Sequence, residues 1–412
     1  VEKGNTVTDY EPEEIERKIS INSAVCFFEA KEHKVHCLDT PGYSNFLWDT
    51  RAALRAVDGV VIVVCGVAGV EVGTEKVWEM VQEFSLPRLI VVNKMDRENA
   101  NFRRAVDSIR QFFGRQAVPL QIPLGEEKDF SGIVDLLRMK AYLFEKDESG
   151  QFKEIEIPPA LQEEAAKKRE ELVEMIAEND EKLMEKYLEK GELSVEEVQQ
   201  GLRKAVINLE LYPICVCSAL ANIGTQPVAG AMIDLLPSPL DRGEIKAKIK
   251  GIEGLVKPLP EEPFAALVFK TISDPYTGRI SLLRVFSGRT NPDALVTNIS
   301  QDADEKLSGL FFLQGKEQIP AGQVKAGDIV ATAKLKATST GDTLCAKGTD
   351  IEFQRIKFPE PSISFAIEPK TRADEDRISQ ATHRITDEDP TVRIERDTET
   401  GQLLISGNGQ LH

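Results

Sequence analysis

The chain is short of positive charge, of cysteine and of long apolar runs. Lys and Arg total 51 against 68 Asp and Glu, which leaves a net charge of −17 over 412 residues. Non-specific nucleic-acid binding is carried by basic charge, so this balance argues against a general RNA or DNA coat. Six cysteines in a chain of this length make no disulfide framework. Cys37, Cys65, Cys215 and Cys217 sit in or beside apolar strands and read as small hydrophobes. Cys215-x-Cys217 has no matching His/Cys pair after it, and His33 and His36 flank Lys34-Val35 in what reads as an exposed strand. Both observations argue against a structural metal. The longest apolar run, residues 59–70, is too short and too glycine-broken to span a bilayer. The first residues are polar and acidic, unlike a secretory leader. The expectation is a multidomain cytoplasmic protein, a monomer, with neither membrane nor DNA as a partner. One further absence stands out. A phosphate-cradling GxxxxGK[ST] loop is nowhere in the chain, and the nearest decoy, Gly309 to Gly315-Lys316, is one residue too long and is followed by Glu317.

What the chain does have is a trio of short polar motifs, each placed directly after an apolar run. Asp39-Thr40-Pro41-Gly42 follows residues 35–38, Asn93-Lys94-Met95-Asp96 follows 89–92, and Ser218-Ala219-Leu220 follows 214–217. In an open α/β sheet, ligands bind outside the carboxyl ends of the strands, so three such ends describe one nucleotide pocket. The residue types suit guanine. Asp96 can accept from the N1–H and N2–H₂ donors with both carboxylate oxygens, a pair adenine does not offer. Asn93 can bridge the base edge and neighbouring backbone, the Lys94 stem can lie over the purine face, and the Ala219 N–H can donate to O6. Asp39 is placed to hold Mg²⁺ through water, and the Gly42 N–H can approach a γ-phosphate with no Cβ in the way.

On these residues the chain resembles the bacterial translational GTPases, specifically elongation factor G and its elongation-factor-G-like branch of paralogues. The resemblance runs from Asp9-Tyr10-Glu11-Pro12 through Asn93-Lys94-Met95-Asp96-Arg97 and Gln121-Ile122-Pro123-Leu124-Gly125. It continues in Thr340-Gly341-Asp342-Thr343-Leu344-Cys345 and closes on Ile405-Ser406-Gly407-Asn408-Gly409-Gln410-Leu411-His412, where the family usually reads ISGMGELH. It implies GTP and GDP as ligands with Mg²⁺, and the ribosome as partner, through its RNA and its stalk protein. It also implies a fragment, with the phosphate loop upstream of Val1 and further domains after His412; a GTPase-like protein without a phosphate loop is the alternative. A chain lacking that strand is expected to bind nucleotide poorly.

The organisation follows the same lines. Residues 1–245 alternate strands and helices as a P-loop-type GTPase domain with a parallel sheet. Within it, residues 118–211 read as an inserted subdomain, where Leu172, Met175, Ile176, Leu183 and Tyr187 recur at helical spacing under a charged face. Residues 246–358 form short β-rich runs (268–272, 280–287, 307–314, 328–334) parted by turns at Asp274-Pro275, Ala321-Gly322 and Ala326-Gly327, as in a small closed barrel. Residues 359–412 read as strand, helix and hairpin, a partial ferredoxin-like (split β-α-β) domain, with Thr371-x-x-Asp374 as the helix start.

Two departures from the family bear on chemistry. The first switch of elongation factor G reads RGITI, and its threonine hydroxyl binds Mg²⁺; here Arg17-Lys18-Ile19-Ser20-Ile21 keeps a hydroxyl at Ser20, which takes the metal role, but puts Lys18 in place of glycine. After DTPG the family has a histidine that positions the attacking water; this chain has Tyr43. A phenol supplies one hydroxyl and no imidazolium. Losing one well-placed group costs factors of about 10²–10³ in such a reaction. Three functions follow: a ribosome-dependent GTPase serving translocation or recycling with Tyr43 and Gly42 at its catalytic position, a slow or non-catalytic GTP-dependent ribosome-binding switch, and, more distantly, a release-type or ribosome-protection factor.

Overall fold

A computed structural model describes residues 6–274 and 277–412. The expected turn at Asp274-Pro275 falls at Pro275 outside the described residues. Two compact units divide the chain: residues 58–241, and residues 1–57 together with 242–412.

The 58–241 unit is built on a four-stranded parallel sheet in the order Val60–Cys65, Arg88–Asn93, Tyr212–Val216, Ala117–Pro119. The central strand, Arg88 to Val92, is buried throughout, as expected of a parallel strand covered on both faces. Helices Val72–Glu83, Phe102–Phe113 and Thr225–Leu235 supply cover. In the second of these, Phe102, Ala105, Val106, Ile109 and Phe113 face inward at helical spacing, and the Asn101 side chain caps the start by accepting from the Arg104 N–H at 2.8 Å. Between Ala117–Pro119 and Tyr212–Val216 lies a meander of four antiparallel strands, Gln121–Leu124, Gly132–Asp135, Lys140–Phe144 and Phe152–Ile155, followed by three helices. The apolar stripe from Leu172 to Tyr187 is carried by two helices rather than one. Pro159–Ala177 ends and Glu181–Lys190 begins at Asp180, whose side chain accepts from the Lys182 and Leu183 N–H groups. An aspartate that satisfies two free helix donors starts a helix better than it continues one.

In the other unit, an eight-stranded antiparallel sheet wraps one core. Its order is Ala303–Lys306, Leu295–Asn298, Thr343–Ala346, Ala265–Asp274, Gly278–Ser287, Ile329–Ala333, Phe311–Gln314, Glu317–Pro320. Val296 and Leu344 from one side meet Val330, Leu310 and Ala321 from the other around Val268, Leu283 and Val285, which is the barrel expected from the spacing of short strands. The ladder itself does not close: Ala303–Lys306 and Glu317–Pro320 stand at its two ends. Residues 25–56 join this unit because their apolar side chains complete a second core. Val25, Leu38, Ala52 and Ala56 pack with Phe269, Ile280, Leu282, Ile329 and Ala331. The Gly315 N–H donates to the Val25 carbonyl at 2.8 Å and the Phe27 N–H to Gln314 Oε1 at 2.9 Å.

The C-terminal segment forms a three-stranded antiparallel sheet in the order Ile363–Ile367, Leu403–Gly407, Arg393–Arg396, with helix Arg372–Glu388 following the first of these strands in sequence. The helix starts at a capping box of Thr371 and Asp374, where the motif put it.

Candidate nucleotide site

In the 58–241 unit, strands Arg88–Asn93 and Tyr212–Val216 run parallel with Val92 opposite Val216. Their carboxyl ends therefore deliver Asn93 to Asp96 and Ser218 to Leu220 side by side. The tie between them is Asn93. Its Oδ1 accepts from the Lys94 N–H at 2.7 Å and from the Ala219 N–H at 2.9 Å, and the Cys217 thiol lies 3.6 Å away. The Ala219 N–H assigned to the base edge is thus held by Asn93. Lys94 takes a left-handed backbone, φ 66°, which turns the chain sharply out of the strand and leaves its side chain exposed. Met95 is fully buried beneath the turn, its carbonyl accepting from the Glu127 N–H at 2.9 Å. Asp96 is half-buried. Ser218 is buried and shapes the second turn: its Oγ accepts from the Ala221 N–H at 3.1 Å while its backbone pairs with Ile223 in both directions. Leu220 projects into solvent.

Sequence reasoning singled out neither Gly66 nor any part that Met95 and Cys217 play in shaping this turn. Gly66 donates its N–H to the Asn93 carbonyl at 2.8 Å, and a Cβ on it would stand 2.8 Å from the Met95 sulfur, so a larger residue would have to displace the Met95 side chain. Met95 plugs that turn from below. Cys217 was read as an inert hydrophobe; burial, with the Asp96 charge adding, pushes its thiol up to about 12, which keeps it protonated beside Asn93.

In the other unit, Asp39 ends strand His33–Asp39, which pairs antiparallel with Ala24–Ala30, Ala24 opposite Asp39. Among the described residues this strand belongs to the two-stranded hairpin rather than to the parallel sheet. Asp39 Oδ2 accepts from the Thr8 hydroxyl at 2.6 Å, and Ser20 Oγ donates to Asp9 Oδ1 at 2.8 Å. Ser20 and Asp39 each contact one residue of the Thr8-Asp9 dipeptide. Surrounding protein raises the Asp39 carboxyl above its ordinary value; Asp9 adds to the rise, while the Thr8 hydroxyl and Thr40 N–H oppose it. Two carboxylates and two hydroxyls form an all-oxygen donor set, with negative charge that a cation would relieve. A hard dication that keeps several waters fits such a set.

The segment carrying Ser20 is pinned by a residue the sequence did not flag. Glu14 is buried at 1% exposure, and its Oε1 accepts from the Ile21 and Asn22 N–H groups at 2.9 and 3.0 Å. On the far side of Asp39, Pro41 is buried and its carbonyl accepts from Thr50 Oγ1 at 3.0 Å; Thr40 is half-buried. Gly42 is exposed, with open space where a Cβ would stand. Tyr43 is 50% exposed and its carbonyl starts the turn into helix Leu47–Leu54 by accepting from the Phe46 N–H at 3.0 Å. His36 corrects an expectation. It is half-buried rather than exposed, its ring 5.6 Å from Phe312 and 6.1 Å from Phe27, because residues of its parity on the hairpin face the barrel.

Known proteins fall in line with this geometry. Residues 1–238 match the elongation factor Tu GTP binding domain, residues 263–347 match elongation factor G domain 2, and residues 358–412 match elongation factor G domain III. A guanine-nucleotide domain followed by those two modules defines a translational GTPase. The chain is 42% identical over 416 residues to elongation factor G of Thermotoga petrophila and of Thermotoga maritima, covering 100% of this chain and 60% of each relative. A Thermus thermophilus protein of known crystal structure superposes with a TM-score of 0.88 at 32% identity, over 100% of this chain and 59% of that one. The chain belongs to the elongation factor G family of translational GTPases.

Proposed function

We propose that the protein binds guanine nucleotide and acts on the ribosome as a GTPase of the elongation factor G type, in translocation or in recycling. The observation that carries this is the parallel adjacency of the 93–96 and 218–220 turns, locked through Asn93 Oδ1. In this reading Asp96 accepts the two guanine donors, the Lys94 stem and Leu220 flank the base, and Ser218 holds its turn in shape. Mg²⁺ belongs beside Asp39 and Ser20, where it would offset the γ-phosphate charge. The Gly42 N–H meets that phosphate across the space a Cβ would fill, and Thr40 and Pro41 set its position.

Tyr43 occupies the place from which the attacking water is oriented. Its exposure leaves the phenol free to swing toward that water, but it brings no positive charge to the transition state. That feature favours the second reading, a GTP-dependent switch that docks on the ribosome and turns over slowly. The barrel is the surface for ribosomal RNA, and the helices between residues 159 and 207 are the surface for the stalk protein.

The test is GTP hydrolysis by the intact protein with and without 70S ribosomes. Stimulation of several orders of magnitude supports the enzyme. Tight GTP binding with flat turnover supports the switch, and Tyr43→His is then expected to raise turnover by about 10²-fold. Asp96→Ala separates binding from chemistry: losing two charge-assisted hydrogen bonds weakens GDP binding by at least about a hundredfold. Unchanged GDP affinity in Asp96→Ala would overturn the assignment of the base site.

A further inference from the structure

The Ala24–Ala30 and His33–Asp39 strands place Cys26 directly opposite Cys37. Side chains alternate across a strand, so the hairpin has two faces. One face carries Val25, Phe27, Leu38, His36 and Lys34. It packs on the barrel through the shared core with Ile280 and Ile329 and through Phe312, over which the Lys34 ammonium sits at 3.2 Å from the ring centroid. The two thiols share the other face, and both are half-buried rather than sealed. Directly opposed residues in an antiparallel pair have Cα atoms about 4.5–5.5 Å apart, inside the span a disulfide accepts. Their Cβ atoms start about 4.5–5.5 Å apart and need to close by roughly 1 Å.

We propose that Cys26 and Cys37 form a reversible oxidation site that closes to a cross-strand disulfide in exchange with a low-molecular-weight disulfide. One of the two, as its thiolate, attacks one sulfur of that disulfide, forming a mixed disulfide and releasing one small thiolate. The other then loses its proton and attacks the capped protein sulfur, releasing the second. The balance is one protein dithiol and one small disulfide giving one protein disulfide and two small thiols, with both electrons passing to the small molecule.

Either thiol can open the exchange, and the one directly opposite it resolves the mixed disulfide. Of the other thiols, Cys215, Cys217 and Cys345 are buried and burial raises each of them, whereas Cys65 is half-buried like the pair but stands opposite Asn93 rather than a cysteine. Closure would pin the strand that delivers Asp39, two residues beyond Cys37 on the same face.

Peptide mapping by mass spectrometry decides the matter. The intact native protein is treated with oxidised glutathione, quenched by alkylation and digested. The expected product is a Cys26–Cys37 cross-link, two hydrogens lighter and reversed by dithiothreitol, with Cys215, Cys217 and Cys345 still reduced. In Cys37→Ser and in Cys26→Ser the remaining thiol is expected to hold glutathione as a mixed disulfide. The proposal is overturned if both thiols stay free while buried ones react, if glutathione persists on either thiol of the unaltered protein, or if the cross-link forms only in urea.

Discussion

Lys18 stands at φ 55° and ψ 41°, at the end of helix Pro12–Arg17, a conformation that side chains with a Cβ enter at a cost. Its substitution for glycine therefore strains the segment that leads to Ser20. Lys18→Gly is expected to stabilise the protein by about 0.5–1 kcal/mol, the strain relieved exceeding the added chain entropy. Urea unfolding would show this as a higher midpoint with an unchanged slope; a lower midpoint would refute it. His36 makes a prediction of a different kind. Burial lowers its pKa, and Lys34 and Arg284 lower it further, against Asp328, which lies 3.8 Å away. The folded protein thus binds the proton less well than the unfolded chain. Its contribution is present above the ordinary value of about 6.5 and is lost as pH falls below it toward the folded value. Between pH 7.5 and 5.5 the parent protein should lose more stability than His36→Phe does. Equal losses would show that His36 does not titrate this way.

At the scale of elements, a buried ion pair adds to the shared apolar core that joins hairpin, helix and barrel. Lys270, on strand Ala265–Asp274, pairs with Asp49 on helix Leu47–Leu54, and both side chains are almost fully buried. Asp49 Oδ2 also accepts from the Ser23 N–H at 2.6 Å, and Lys270 reaches Asn22 Oδ1 at 3.3 Å. The pair thus fastens the start of strand Ala24–Ala30 and the helix after Tyr43 to the barrel wall. Removing one partner strands a charge away from water. Lys270→Met should cost about 3–5 kcal/mol, and adding Asp49→Asn should recover part of it. A double-mutant cycle that finds the two substitutions additive would show the pair to be uncoupled. The C-terminal segment is fastened more lightly. His412 Nε2 meets Asp389 Oδ2 at 2.6 Å while its Nδ1 accepts from the Asn408 N–H at 2.9 Å, and Asn45 Nδ2 donates to the Asn408 carbonyl at 3.2 Å.

At the scale of the whole molecule, charge sets what the surface will tolerate. A net charge of −17 repels polyanions over distances comparable to the Debye length, about 8 Å at physiological salt. Ribosome docking, as proposed above, must then come from shaped local contacts rather than from a basic field. Filter binding at physiological salt should show no retention of unstructured RNA by the intact protein, but retention by 70S ribosomes in the presence of a non-hydrolysable GTP analogue. Low-micromolar binding to free RNA would refute the first expectation. Among the described residues no helix is long and apolar enough to cross a membrane.

The sequence by itself determined the elements and the ends at which the motifs stand. Apolar runs before Asn93 and Ser218 became buried strands, because a parallel strand covered on both faces needs unbroken apolar side chains; the run before Asp39, with His36 in it, became a half-buried strand of the hairpin. The Thr371 and Asp374 pair started its helix, because it satisfies free helix donors locally. Asn93, Asp96 and Ser218 could be placed for the same reason, each by residue type just after a strand, whereas Tyr43 stood out only against the histidine that the resemblance to elongation factor G implies. The tertiary structure alone decided partners. The fastening of Asp49 to Lys270, 221 positions apart, leaves no local pattern. Nor does the burial of Glu14 under the Ser20 segment, the capture of the Ala219 N–H by Asn93, or the packing of residues 25–56 on the barrel core. Periodicity reports which face of an element is apolar, but which surface covers that face is settled only when distant segments compete for it.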